Sequence, residues 1–163
     1  MEELHMNGHP ERNMKLVAVA AALIGVIVAF VLFPMLASAM LAEYPEHRRW
    51  FWPGLIYVWI VLAPGFVGLW EFWKISGQIA RDNSFSPENA RSLSRICALA
   101  LTMAALLAVG VAALCILRMG QPGLLILMLG FGAACVLVAM LANALAQLVR
   151  RAAAIQTEND LTI

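Results

Sequence analysis

KISGQIARDNSFSPENARSLSRI, Lys74 to Ile96, is a long polar and basic stretch in the interior of the chain, and a long apolar run lies on each side of it. Gly54 to Trp73 precedes it and Ile96 to Leu117 follows it. As helices at about 1.5 Å per residue these flanks are about 30 Å and about 33 Å long, which matches a hydrocarbon core of about 30 Å. The stretch is therefore a loop between two membrane spans.

Two further runs complete the pattern. Leu16 to Leu41 carries no charge; as a helix it is about 39 Å long and crosses with tilt. Leu124 to Val149 is the fourth. Of 163 residues, 63% are hydrophobic and 13% charged, far from the roughly 45–50% and about 25% of globular domains. These observations define an all-α integral membrane protein with four transmembrane helices in an up-down bundle. The expected layout is an N-terminal segment, 1–15, one transmembrane domain, 16–149, and a tail, 150–163. The spans are expected over about 16–41, 54–73, 96–117 and 124–149, with the loop at 74–95.

Four spans put both termini and the loop on one side. Arg12, Lys15, Lys74, Arg81, Arg91, Arg95, Arg150 and Arg151 lie there, and Arg48, Arg49 and Arg118 lie opposite. Excess Lys and Arg marks the cytoplasmic side, so both termini are expected in the cytoplasm of a bacterial inner membrane. The opposite connections are short. Glu43 to Pro53 holds Tyr44, Trp50, Phe51 and Trp52, rings that favour the headgroup level. Its Glu43, Glu46 and His47 stand beside Arg48 and Arg49, which oppose a bound cation and favour an internally paired loop. Met119 to Gly123 is a tight turn in which glycine stops one helix and Pro122 starts no continuation of it. It forces the third and fourth spans to be antiparallel neighbours.

Features within the spans raise packing questions. Pro34 predicts a kink whose freed carbonyl a neighbouring helix satisfies. Arg12 and Lys15 ahead of an apolar stretch ending in Ala37-Ser38-Ala39 also fit a cleaved signal peptide, although that apolar stretch exceeds the usual 7–15 residues of such a leader. Pro64, Gly65 and Gly68 predict a bent helix with a close neighbour. Ala100, Ala104, Ala108 and Ala112, and then Gly130, Ala134, Ala142 and Ala146, form small-residue faces suited to helix packing. Glu71 lies among the belt tryptophans three residues before Lys74, which favours an interfacial pair over a proton-handling group. Asn143 and Gln147 share a face about 10 Å and about 4 Å inside Arg150 and need partners. Thr102 at similar depth on the third span is the expected one.

In the central stretch, Ser86 is a good N-cap, Pro87 suits the first helical position, and Glu88 places negative charge in the first turn. The third helix is expected to begin there. Asn89 stands where a capping box has Glu or Gln, so the cap is partial. Arg91 and Arg95 lie one turn apart on one face, placed for anionic headgroups or an acidic partner. Phe85, an apolar ring in a polar turn, must pack on the helices or on a partner. The tail Thr157 to Ile163, TENDLTI, ends in apolar Leu161 and Ile163 after the acidic Asp160, and is expected to fold under the bundle or be presented as a short extended motif.

No catalytic or metal motif is present. His5 and His9 sit four apart, but Gly8 and Pro10 surround the second and no cysteine accompanies them. Cys97, Cys115 and Cys135 lie within apolar runs without C-x-x-C pairing and read as small core residues. There is no H-E-x-x-H, no nucleophilic triad and no facing carboxylate pair. The chain is expected to be non-enzymatic, with no cofactor. A net charge of +1 lacks the excess of Lys and Arg that direct nucleic-acid binding needs.

Phe85-Ser86, Asn89, Leu93 and Ile96, with the closing Glu158-Asn159-Asp160-Leu161-Thr162-Ile163, resemble a bacterial family of small four-span membrane proteins of unknown function, DUF2975. Where that family usually has a glycine ahead of the phenylalanine, this chain has Asp82-Asn83-Ser84. The resemblance implies an integral membrane protein. It also hints at partnership with a small helix-turn-helix regulator, and it supplies no activity or catalytic residue.

Two functions follow as expectations. The first is a membrane protein whose loop and tail bind or sequester a cytoplasmic protein through Phe85, Ser86, Asn89, Arg91, Arg95, Asp160, Leu161 and Ile163. The second is a small transporter or channel subunit that forms a homo-oligomer through its alanine faces, against which stands the lack of a mid-membrane ionisable group.

Overall fold

The computed structural model of the protein describes residues 10–79 and 86–160. Every regular element among them is helical: α1 Pro10–Ile27, a π-helical turn Val28–Leu32, α2 Phe33–Glu43, a short 3₁₀ helix Pro45–Trp50, α3 Phe51–Ile79, α4 Pro87–Ile116 and α5 Pro122–Asp160. Four rods are long and apolar enough to cross a membrane: Arg12–Glu43, His47–Ile79, Pro87–Ile116 and Pro122–Ile155. The exposure of large apolar side chains along their length, such as Leu23, Phe30, Ile126 and Leu137, is the surface a bilayer solvates.

The first rod stays continuous past Pro34 by changing register. The Phe33 N–H bonds back to the Val28 carbonyl, five residues earlier. In that register the Ala29 carbonyl would look to residue 34, and proline has no N–H to give. The indole Nε1 of Trp59 on α3 donates to it instead, at 3.1 Å, while the Trp59 ring lies against Phe30 with centroids 5.4 Å apart. The freed carbonyl is thus satisfied by a neighbouring helix, as bilayer burial requires. Ala37-Ser38-Ala39 lies inside α2 as ordinary helix, with Ser38 Oγ bonded to the Met35 carbonyl at 2.8 Å.

The rods pack in chain order: the first on α3, α3 on α4, and α4 on α5. Among the described residues the first rod and α5 bring no Cα atoms within 8 Å of each other. The up-down bundle is therefore an open row of helices, and α5 is covered by its own chain on one side.

Between α3 and α4 the close approach falls at Gly110. The Tyr57 hydroxyl donates to the Leu106 carbonyl one turn earlier, and a Cβ at Gly110 would collide with that hydroxyl and lie 2.7 Å from Met128 Cε. Gly65 and Gly68 do not play this role: a Cβ at Gly65 would make only ordinary contact with Met103, 3.4 Å away, and one at Gly68 would meet nothing within 4 Å. The alanine faces are used in part. Ala100, Ala142 and Ala146 are buried, joined by Leu107, Gly110 and Ala139, whereas Ala108, Ala112, Gly130 and Ala134 are exposed. Small residues pack where another helix runs alongside, and these four lie where no helix of this chain covers them. The three cysteines are free, and Cys115 is exposed rather than in a core.

The turn between α4 and α5 also departs from expectation. Arg118, not Gly120, adopts the left-handed conformation, φ 54°. Its N–H bonds to the Cys115 carbonyl at 3.2 Å and that of Met119 to Leu114 at 3.0 Å, the bond pair of a Schellman cap. A non-glycine residue there costs about 1–2 kcal/mol.

Candidate functional site

Three contacts place the start of α1, the end of α3, the start of α4 and the Arg150 region of α5 at one end of the row, the loop end. Lys15 Nζ stands 5.5 Å over the Trp73 ring, Arg95 pairs with Glu71, and Arg150 donates to Ser94 Oγ at 2.8 Å. This loop end holds most of the polar side chains singled out from the sequence.

Glu71 is its centre. The side chain is almost fully buried near the end of α3, and its two oxygens are both engaged. Oε1 accepts from Lys74 Nζ at 3.1 Å and from Arg95 at 3.2 Å, and Oε2 accepts from Ser92 Oγ at 2.9 Å. The Lys74 pair is the interfacial i,i+3 contact that the spacing predicts. Arg95 and Ser92 reach Glu71 from α4, so the carboxylate also joins two spans. The acidic partner expected of Arg95 is Glu71 of the same chain, with 64% of the Arg95 side chain still exposed. Arg91, one turn away, is exposed.

A second set of bonds holds the base of the loop. The Asn89 N–H donates to Ser86 Oγ at 3.2 Å, which is the N-cap of α4. Ser86 Oγ in turn donates to Gln78 Oε1 at 2.9 Å, and Gln78 Nε2 donates to Glu88 Oε2 at 2.8 Å. One glutamine side chain at the end of α3 thereby grips both the cap and the first turn of α4. Ser86 and Asn89 are 4% and 2% exposed, so they shape the start of α4 from within and offer almost no surface of their own. Ser76 and Ser94 bond to their own helix carbonyls, Phe72 at 3.0 Å and Ala90 at 2.9 Å.

Phe85, Leu161 and Ile163 lie outside the described residues. Asp160 is the last residue of α5. That helix is 39 residues long, about 58 Å at 1.5 Å per residue, nearly twice the hydrocarbon thickness. It continues about 15 Å past Arg150, so Thr157 to Asp160 is helix and not an extended strand-like motif.

The expected contact from Thr102 to Asn143 and Gln147 is not made. Thr102 Oγ1 donates to the Ala98 carbonyl of its own helix at 2.9 Å, and Asn143 and Gln147 are exposed on α5. At the opposite, turn end, a cavity of about 440 Å³ is lined by Phe33, Met40, Tyr44, Trp50, Phe51 and Arg118 among others. Among the described residues no group of three His, Cys, Asp or Glu side chains could hold a metal ion.

Ser92, Gln78, Ser94, Trp59 and Tyr57 were missed from sequence. Each acts across helices: Trp59 and Tyr57 from an apolar run, Gln78, Ser92 and Ser94 from the polar stretch, and spacing within one helix carries no sign of which neighbour a side chain will face.

Four antiparallel apolar rods closed at one end by a buried polar clamp define a multi-pass α-helical membrane protein. The chain belongs to the family described as "Protein of unknown function (DUF2975)", whose model matches residues 35–163. It is also 27% identical over 150 residues to the "Uncharacterized membrane protein YoaS" of Bacillus subtilis (strain 168), covering 89% of this chain and 94% of that one. No solved structure matches this chain.

Proposed function

We propose that this protein is a non-enzymatic component of a bacterial inner membrane, with both termini in the cytoplasm, that presents its loop end to a soluble protein partner. The observation that carries this reading is the length of α5. A membrane span ends where the hydrocarbon ends, and a helix that runs on for about three turns into water, bearing Arg150 and Arg151 at its exit, is a surface for something other than lipid. The clamp supports the same reading. Gln78, Ser86 and Glu88 tie the end of α3 to the start of α4, which supports a fixed base for a binding surface and lowers the ordering cost of binding. Exposed Arg91, on the first turns of α4, adds positive charge at this end. The family resemblance suggests a small helix-turn-helix regulator as the partner.

The test is cross-linking of an N-terminally tagged full-length chain in native membranes, beside copies carrying Phe85→Ala or lacking Leu161 to Ile163. The expected result is one soluble regulator captured by the full chain and lost from both altered copies. Associations unchanged in both would contradict the reading.

A further inference from the structure

We infer that α5 pairs with α5 of a second copy of this chain, through a seam whose polar centre is Asn143. The starting point is an amide without a partner at depth. Asn143 lies about 10 Å inside Arg150 along the helix, and Arg150 is held at the loop end by Ser94. The Asn143 and Gln147 side chains are exposed, and among the described residues neither makes a side-chain hydrogen bond. The contrast with other polar groups in the spans is direct: Thr102 turns onto Ala98, Tyr57 onto Leu106 and Trp59 onto Ala29. In hydrocarbon no water completes Asn143, so the missing partner must come from another helix.

The seam has the spacing of a helix pair. Leu129, Ala133, Val136, Met140, Asn143 and Gln147 follow one another at steps of four and three, the a/d pattern of a coiled coil. All six are exposed, with Leu129 at 58%, Val136 at 40% and Met140 at 65%. The helix row is open on this side, because the first rod does not come round to cover α5. The occupant is a second copy for two reasons. Every copy inserts with the same topology, so its Asn143 lies at the same depth and its α5 runs parallel. An amide carries both donor and acceptor, so two identical side chains facing across a two-fold axis satisfy each other. Such an asparagine in an apolar seam also fixes register.

The experiment uses the full chain in native membranes, with Cys97, Cys115 and Cys135 replaced by Ala. Val136→Cys places a thiol on the seam, and Leu141→Cys places one on an exposed face away from it. On mild oxidation the first is expected to form a disulfide-linked pair and the second to stay monomeric. Equal cross-linking of both, cross-linking of neither, or linkage of Val136→Cys to a different protein would overturn the inference. In parallel, two differently tagged cysteine-free copies are co-expressed and their association read by energy transfer. Asn143→Leu, which makes the span more apolar and leaves insertion favourable, is expected to weaken association by about threefold to about twentyfold. Unchanged association would overturn the role of Asn143.

Discussion

The Trp59 indole nitrogen lies 3.1 Å from the Ala29 carbonyl, and that single bond lets a proline-containing membrane helix cross the bilayer without an orphaned acceptor. The π turn and Pro34 create the need and the neighbouring span meets it. Trp59→Phe is expected to destabilise the protein by about 1–2 kcal/mol in a detergent unfolding titration. In a Pro34→Ala background, where residue 34 regains an N–H, the same substitution should cost markedly less. Equal costs in both backgrounds would separate the tryptophan from the proline.

Glu71 is buried, 6% exposed, while its cationic partners Lys74 and Arg95 are 42% and 64% exposed, and this asymmetry sets the order of effects at the clamp. Lys74→Ala and Arg95→Ala each remove a screened, surface-facing contact and are expected to cost under about 1 kcal/mol. Glu71→Leu also releases Ser92 and leaves two cations crowded at the loop end, for an expected loss of about 1–3 kcal/mol. Because all the partners share one carboxylate, the losses should not add: Arg95→Ala in a Glu71→Leu background is expected to be nearly silent in the same titration.

Gly110 leaves no room for a methyl group between α4, Tyr57 and Met128. Gly110→Ala is expected to cost about 1–3 kcal/mol despite the better helix propensity of alanine. Gly68→Ala, with nothing within 4 Å of the new atom, should be neutral or stabilising. The pair of variants, compared by thermal unfolding in the same detergent, measures where α3 and α4 meet.

Arg118 holds a left-handed backbone that glycine would adopt without strain. Arg118→Gly is therefore expected to raise stability by about 1 kcal/mol, read as a shift in thermal midpoint. The strained arginine lines the turn-end cavity, so loss of a guanidinium there and gain of stability come together.

Four spans, the start of α1 and the end of α5 at one end of the row, the Ser86 cap and the Glu71–Lys74 pair were all legible in the sequence. Each is written in hydropathy, parity or spacing within one helix. What was not legible depends on the rotation of one helix against another. Pro34 announced a freed carbonyl, but nothing in the chain named Trp59 as its donor. The glycines of α3 read as a packing notch, yet the notch is Gly110 on α4, because the facing residue is the tyrosine that needs the space. Asn143 asked for a partner, and its direction on α5 shows that the partner is not Thr102. The left-handed Arg118 beside an available Gly120 follows no propensity rule; the helix simply ends one cap earlier than the glycine.

A soluble cytoplasmic partner requires the loop end to face the cytoplasm, and impermeant labelling in intact cells measures that directly. In a chain whose three native cysteines are replaced by Ala, Arg118→Cys at the turn end and Arg151→Cys at the loop end are treated with a membrane-impermeant maleimide before and after permeabilising the inner membrane. The prediction is that position 118 reacts in intact cells and position 151 only after permeabilisation. Reaction of position 151 in intact cells, with position 118 protected, would place the clamp and the projecting end of α5 outside the cell, where no cytoplasmic regulator could meet them.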